Sequence, residues 1–279
     1  MGGSGTMGEK EQMGLPVRIT YMPWKQLSLA VALSTLLCST SSCQTALGTS
    51  AKTPILDFHA PAGDPYANAV RDDASASVKQ IQSFLGAPFP DPIHFQMVAD
   101  RENFDAAVAK FGLSPAQCWM VGVGTADLMV VLSPQAWAKQ ACEHDPNDLE
   151  ATRLLVTHEL IHVYHGQFNP ARDFRGIDDL DWFIEGLAVF GSGQLTKDRL
   201  DQMQAAVSAG QVPTSLSKIW TGPNRYAFAG SLVRYVDQTW GRTTTVRLLK
   251  VRNSAEALTL LGTSEKSLLA GWRASLTHP

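Results

Sequence analysis

The spacing of apolar positions predicts helices and strands in the first part of the chain. Apolar residues recur at helical intervals over Tyr66–Leu85, which predicts a helix, and Asn103–Phe111 shows a shorter form of the same pattern. Apolar and polar residues alternate over Pro92–Val98, as in a strand with one buried face. Two β-rich runs, Cys118–Val123 and Leu128–Leu132, flank a glycine-containing turn and predict a hairpin.

Helical periodicity dominates the second part of the chain. The pattern predicts a helix up to about Gly166, a second one through Trp182–Phe190, and several more after it. The later helices are expected at Lys197–Ala209, Arg225–Trp240, Thr243–Val251 and Ser254–Leu276. These elements predict an α+β fold, with a β-containing lobe over about residues 55–165 and a mainly helical lobe over about 166–279.

Residues 1–54 have the composition of an N-terminal extension with a signal peptide and a linker. Met22–Leu37 combines a lysine with a short apolar run, and small residues follow it, which is typical of a secretory signal peptide. The run is too short for a good membrane span. Cys43 follows small residues, as a lipid-modified cysteine would, although Thr40 stands where leucine is usual. We expect a periplasmic, secreted or membrane-anchored protein, with Cys43 as the candidate anchor.

The composition narrows the range of functions. Charged residues make up 18% of the chain and the net charge is -3, so there is no basic patch that would favour nucleic acid as a partner. About 230 residues follow the leader, which is enough for one large core or for two lobes that share a cleft. Nothing in the sequence indicates the oligomeric state.

Cys118 and Cys142 are the two cysteines outside the leader. In an exported protein this pair would form a disulfide, and two separate buried thiols are the alternative. Metal ligation fits less well, because the pair lacks the Cys-x-x-Cys spacing of many zinc sites.

The pattern His158-Glu159-x-x-His162 carries the strongest chemical signal. Residues four apart lie on one face of a helix, so both imidazoles can reach a single zinc ion. Glu159 then lies beside the open position of the metal, where a carboxylate can take a proton from water. Asp145-Pro146 or Asn147-Asp148 offers a cap for the start of this helix. The alternative interpretation is an ordinary helix with two core or surface histidines.

A catalytic zinc ion needs a third protein ligand, and Glu185 is the better candidate. The metzincin pattern fails, because His165 stands where that pattern has glycine and Phe168 where it has histidine. His165 would lie about 10 Å along the helix axis from His158, too far to share one ion with both motif histidines. Glu185 is a carboxylate within an apolar helix, which is costly without a partner. Gly186 beside it indicates close approach to another backbone or to substrate.

The two motifs together resemble those of the gluzincin metallopeptidases, and look most like the peptidase-MA-like group of bacterial exported proteins. They are His-Glu-Leu-Ile-His and the downstream Trp-Phe-Ile-Glu-Gly-Leu-Ala. The resemblance implies a zincin-like fold, with a small sheet packed on the motif helix. It also implies one zinc ion held by His158, His162 and Glu185, with Glu159 as the general base.

The same resemblance carries two further expectations and one departure. It implies an edge strand along the cleft, best matched by Leu128–Leu132, and a tyrosine near the start of a later helix, matched by Tyr226. The Tyr226 hydroxyl would stabilise an oxyanion, and a packing tyrosine is the alternative. Many gluzincins carry a carboxylate where this chain has Val189. The metal histidines would then bond to a backbone carbonyl or to one of three aspartates: Asp178, Asp179 or Asp181.

The sequence therefore predicts a zinc-dependent metallopeptidase that acts on a peptide or protein substrate. A non-catalytic zinc-fold module that binds peptide or envelope partners is one alternative, and a hydrolase of non-peptide amides is another. Glu159 disfavours the binding module, because such a module needs no general base.

Overall fold

The structure of the protein is a computed structural model that describes residues 55–112 and 116–276. The predicted signal peptide and Cys43 lie outside the described residues. Within them, no helix has both the length and the apolar character needed to cross a bilayer.

Four short strands form one mixed sheet. They are β1 (Leu56–His59), β2 (Ile93–Val98), β3 (Gly122–Gly124) and β4 (Met129–Leu132), in the spatial order β1-β2-β4-β3. β1 pairs with β2 and β2 with β4 in parallel, whereas β3 pairs with β4 antiparallel. β3 and β4 form the predicted hairpin.

The prediction that Leu128–Leu132 lies along the cleft as an edge strand is wrong. β4 is an inner strand that is buried on both faces, and β3 is the edge strand. Met129 and Val131 contact the larger of two cores, while Val130 and Leu132 contact the smaller one. A strand buried on both faces has a continuous apolar sequence, which is why this run lacks alternation.

Eleven helices are present in the described residues, and they are more extensive than the sheet. Before the metal motif come α1 (Ala67–Leu85), α2 (Arg101–Ala109) and α3 (Pro134–Gln140). The motif itself lies in α4 (Leu149–Phe168), and Glu185 lies in α5 (Asp181–Ser192). The remaining helices are α6 (Lys197–Ser208), α7 (Leu216–Ile219), α8 (Arg225–Trp240), α9 (Arg242–Leu248), α10 (Ser254–Leu261) and α11 (Glu265–Leu276). The described part of the chain is thus α+β, as predicted.

The sheet separates two hydrophobic cores. Helices α1 and α4 cover one face and contribute to the large core, which continues into α5, α8 and the C-terminal helices. Helices α2 and α3 cover the other face, where Phe104 and Trp137 are fully buried. Helices α4, α5 and α8 lie side by side at the centre of the large core, and this arrangement positions the polar residues described below.

Two helix ends differ from the sequence predictions. α4 does not end at Gly166 but continues to Phe168, and Gly166 is in its interior. A Cβ at Gly166 would lie 2.6 Å from both the Ala126 nitrogen and the Arg172 oxygen, so glycine serves close packing there. α5 begins without a side-chain cap, and neither Asp179 nor Asp181 fills that role.

One helix cap and one disulfide agree with the sequence predictions, whereas one predicted helix is divided in two. Asp148 caps α4 by accepting a hydrogen bond from the Ala151 nitrogen at 2.9 Å, as one of the two alternatives predicted. The stretch Ser254–Leu276, expected as one helix, is two helices separated at Gly262, which has a positive φ. Cys118 and Cys142 form a disulfide.

Candidate metal centre

Helix α4 places three polar side chains inside the protein. His158, Glu159 and His162 are between 6% and 7% exposed, in a helix whose middle is buried on all sides. Burying such groups is costly unless they have partners. The chain holds the helix there through its apolar neighbours Leu160 and Ile161, which are fully buried in the large core.

Helix α5 brings Glu185 to the two histidines. Phe183 and Leu187, on the same helix, are fully buried and fix its position against α4. The Glu185 side chain remains 25% exposed, so the cluster is open to solvent on one side. Two helices thus supply the residues of this centre.

Three ligand atoms form a small triangle, which we call the ligand triangle. The Nε2 atoms of His158 and His162 are 3.0 Å apart, and Oε2 of Glu185 lies 3.4 and 3.6 Å from them, respectively. Ligands of a tetrahedral zinc ion at bond lengths of about 2.0–2.1 Å are separated by about 3.3 Å. The point equidistant from the three atoms lies about 1.9 Å from each, close to those bond lengths. The residues fit a metal ion, and no other such cluster occurs in residues 55–112 and 116–276.

Within the triangle, Glu185 and His162 shift each other's pKa values. Burial alone would raise the pKa of Glu185, but His162 and His158 outweigh it and hold that pKa well below its usual range. Burial would lower the pKa of His162, but Glu185 raises it above its ordinary value. The carboxylate is therefore ionised and able to bind a cation.

Glu159 lies between α4 and the edge strand β3. Its side chain is next to Gly122, where an added Cβ would lie 2.7 Å from the Glu159 Cγ. The Gly124 backbone lies close enough to the carboxylate to lower its pKa slightly. Burial nevertheless raises the pKa of Glu159, and Glu185 adds to the increase, while both motif histidines oppose it. Gly122 thus leaves the space that this carboxylate occupies, whereas Gly124 lies against the Glu159 backbone.

The outer partner of His158 is not one of the predicted aspartates. Its Nδ1 lies 2.9 Å from the side-chain oxygen of Gln194, in the turn that follows α5. An imidazole that donates through Nδ1 carries its lone pair on Nε2, facing the ligand triangle. The Nδ1 atom of His162 is buried and has no hydrogen-bond partner among the described residues.

The three aspartates have other roles. Asp178 pairs its backbone with Asn253, and Asp179 accepts hydrogen bonds from the Ser254 nitrogen and hydroxyl. The side chain of Asp181, at the start of α5, lies close enough to Glu185 for the two charges to repel. Val189, at the position where many gluzincins have a carboxylate, is fully buried against α8.

Tyr226, at the start of α8, reaches the metal centre from the other side. Its ring centre lies 6.5 Å from that of His158. Burial raises the pKa of Tyr226 to about 12, and the negative charge of Glu185 contributes to the increase. The hydroxyl is therefore protonated and able to donate a hydrogen bond.

His165 is separate from the ligand triangle, as its helical position predicted. It is fully buried, and its ring contacts Phe174 and Phe183. Burial lowers the pKa of His165 to about 3, and the nearby His162 contributes to this decrease. It is a neutral core residue.

Sequence reasoning missed Gln194 and the glycines of β3. No motif marks a single glutamine in a turn, whereas the alternating glycines Gly122 and Gly124 were visible in the sequence as a sign of close backbone approach. Comparisons of this chain with protein-family models, with curated proteins and with solved structures found no match.

Proposed function

We propose that this protein is a zinc-dependent metallopeptidase with a zincin-like fold of the gluzincin type. The observation that carries the proposal is the ligand triangle of His158, His162 and Glu185, with a buried glutamate, Glu159, on the adjacent helical position. Two histidines and one carboxylate are a common ligand set of catalytic zinc, which keeps its fourth position for water or substrate. The partial exposure of Glu185 leaves one side of the site accessible.

Glu159 is the proposed general base. A zinc ion held by the triangle would polarise the scissile carbonyl and lower the pKa of water to about 7. Glu159 takes the proton from the attacking water and passes it to the leaving amine.

Tyr226 is the proposed donor to the oxyanion that forms as water attacks the carbonyl. Its hydroxyl remains protonated at neutral pH, since its pKa is raised to about 12. Its ring faces the His158 ring across the site. A fixed donor of this kind contributes about 2.7–4 kcal/mol to transition-state stabilisation.

The edge strand β3 favours a peptide as the proposed substrate, rather than a non-peptide amide. Only one edge of β3 pairs with a strand of the described chain, namely with β4. The backbone of an unpaired edge binds extended peptides by adding a strand. Because Gly122 and Gly124 lie directly against Glu159, a peptide on this edge would pass the proposed base.

The disulfide between Cys118 and Cys142 supports the proposed export of the protein. Such bonds persist in oxidising compartments and are rare in the reducing cytosol of mesophiles. The proposed location is the periplasm, the cell surface or the medium. Attachment through a lipidated Cys43 belongs to the same proposal.

The test combines metal content with hydrolysis. We expect the purified protein to hold one zinc ion per chain and to cleave peptides from a mixed library. Glu159→Gln should keep its zinc and lose at least about a hundredfold in rate, because the carboxylate that moves the proton is gone.

The Glu185→Ala variant completes the experiment, because it removes a ligand and leaves the base in place. It should bind zinc more weakly, as measured by competition with a chelator. Full hydrolysis by the Glu159→Gln protein would refute the mechanism, and unchanged zinc affinity of the Glu185→Ala protein would remove Glu185 from the ligand set. Zinc without hydrolysis in the wild type would instead favour the non-catalytic binding module.

A further inference from the structure

Two arginines flank Tyr226 next to the metal centre, and we call them the arginine pair. The guanidinium carbon of Arg225 lies 5.0 Å from the centre of the Tyr226 ring, and that of Arg199 lies 5.1 Å from it. Arg225 is the first residue of α8, whereas Arg199 belongs to α6. Two separate helices thus direct positive charge to one aromatic ring.

Aromatic contacts hold the Arg225 guanidinium in place. It lies 5.3 Å from the ring centre of Trp119 and 5.5 Å from that of Trp220, in addition to its contact with Tyr226. Trp119 is adjacent to the disulfide cysteine Cys118, and its carbonyl oxygen lies 2.8 Å from His144 Nε2. A guanidinium stacked on rings keeps its in-plane N–H groups free to donate. The stacking fixes the group in place beside Tyr226, whose side chain also interacts with it electrostatically.

Arg199 is linked to the metal centre through the chain itself. Its Nη1 donates to the Gln194 carbonyl oxygen at 3.4 Å, and the side chain of the same glutamine contacts His158. Arg199 is half-buried. Burial lowers its pKa, and the Tyr226 side chain only partly opposes that effect.

The arginine pair has no carboxylate partner in the part of the chain that the structure describes. Six other arginines form ion pairs with aspartate or glutamate: Arg71, Arg101, Arg153, Arg172, Arg175 and Arg242. A partly desolvated guanidinium without an anion is costly, so the site favours an anion from outside the described chain.

We propose that the arginine pair binds a carboxylate of the peptide substrate, either its C-terminal carboxylate or the side chain of an aspartate or glutamate. The planar fork of arginine matches a carboxylate with two parallel hydrogen bonds. This inference rests on the proposed function, because it assigns the substrate class of the same site.

The distances limit where that carboxylate lies along the peptide. The Tyr226 ring centre is 6.5 Å from the His158 ring centre and about 5 Å from each guanidinium, so both cations lie within about 12 Å of the His158 ring centre. One residue of extended peptide spans about 3.3–3.6 Å. The bound carboxylate therefore lies within about four residues of the bond that is cut. This spacing restricts cleavage to sites near a C-terminus or near an acidic residue.

The experiment compares three peptide probes of equal length on the zinc-loaded Glu159→Gln protein, whose hydrolysis rate is at least about a hundredfold lower under the proposed mechanism. The first is N-acetylated tetra-alanine with a free C-terminal carboxylate, and the second is the same peptide as its C-terminal amide. The third is an amide that carries glutamate at an inner position. Calorimetry measures each affinity. We expect one carboxylate probe, or both, to bind on the order of tenfold to a hundredfold more tightly than the uncharged amide.

Variants of the arginine pair show whether these residues cause the preference. Arg199→Gln and Arg225→Gln should bring the carboxylate probe close to the affinity of the uncharged amide, with little change for the amide itself. Arg225→Lys keeps the charge but loses the fork and the stacking, so it should recover only part of the preference. Arg71→Gln, on the exposed surface of α1, removes the same charge elsewhere and should leave the preference unchanged.

The possible outcomes separate this inference from the proposed function. A preference for the free C-terminus alone identifies that source, and equal binding of the glutamate amide identifies an acidic side chain. Equal affinity for all three probes would overturn the carboxylate site, as would an equal loss for charged and uncharged probes in the arginine variants. If the preference depends on the arginine pair but the wild type hydrolyses no peptide, the carboxylate site stands and the proposed peptidase function fails. If the wild type hydrolyses peptides but shows no preference for a carboxylate probe, the peptidase function stands and the carboxylate site fails.

Discussion

Replacing Gly124 with alanine would place a methyl group inside the contact between β3 and α4. The added Cβ would lie 2.3 Å from the Glu159 carbonyl oxygen, 3.1 Å from its carbonyl carbon and 3.2 Å from the His162 Cβ. The two nearest atoms are backbone, so no rotamer change can relieve the clash. The strand and the helix would have to move apart.

The size of the effect follows from these distances. Ordinary carbon–oxygen contacts begin at about 3.3 Å, so the contact must open by about 1 Å. Overpacking of this kind costs about 1–3 kcal/mol, and a backbone clash belongs near the upper end. For a folded unit of about 220 residues, 2–3 kcal/mol lowers the Tm by roughly 4–12 °C. A displacement of about 1 Å at the proposed base would also reduce the rate by about a hundredfold.

Gly122→Ala is the matched comparison. Its Cβ would meet the Cγ and Oε1 atoms of Glu159, which belong to a side chain that can change rotamer. We expect a loss below about 1 kcal/mol in unfolding free energy, together with a clear loss of activity because the carboxylate is displaced. Urea unfolding of the zinc-free proteins measures the first quantity, and peptide hydrolysis measures the second.

The opposite ranking of the two variants would refute this account. If Gly124→Ala unfolds with the free energy of the wild type, the close contact between β3 and α4 does not exist as described. Equal activity of Gly122→Ala and wild type would show that the Glu159 carboxylate does not need the space beside Gly122.

Two further predictions concern the surroundings of the motif histidines. Gln194→Leu removes the acceptor for His158 Nδ1 and should weaken zinc binding about 10–100-fold in chelator competition. Gln204→Leu, a control on the exposed surface of α6, should leave zinc binding unchanged, and equal zinc affinities of the wild type and both variants would exclude an orienting role of Gln194 for His158. His165 is neutral in the folded protein, where its pKa is about 3, and gains a proton near pH 6.5 in the unfolded chain. Its contribution to the free energy of unfolding is therefore complete above about pH 6.5 and falls as the pH decreases. Between about pH 7 and pH 5, zinc-free wild type should lose about 2 kcal/mol more in urea unfolding than His165→Gln, and identical pH dependence would show that His165 is protonated in the fold.

The sequence was sufficient to predict the parts of the site that depend on helix geometry. The spacing of His158 and His162 determines that both face one side of α4. Glu185 was recognisable as a buried carboxylate on an apolar helix, and the structure brings it to the two histidines. The assignment of zinc and of catalysis remains a prediction, because the same triangle would accommodate other metal ions.

Features that depend on contacts between distant segments were not predictable in the same way. The run Leu128–Leu132 was expected as an edge strand from the resemblance, and the sequence could not correct this because a short apolar run does not show how many neighbours a strand has. Gly166 resembled a helix stop, but its small size serves contacts with Ala126 and Arg172, which come from other segments. Gln194 contacts His158 across 36 residues of sequence, and nothing local marks that pairing.

Gly186, beside the proposed ligand Glu185, links the metal centre to α8. A Cβ at Gly186 would lie 2.5 Å from the Ala229 carbonyl oxygen, so only glycine allows α5 and α8 to approach this closely. The prediction of close approach to another backbone is therefore confirmed, and the partner is α8. The same helix begins with Arg225 and Tyr226, and the Tyr226 ring lies 6.5 Å from that of His158. Because α5 carries Glu185 and α8 carries Tyr226 and Arg225, this close contact helps to set the distance between the proposed third ligand and those two residues.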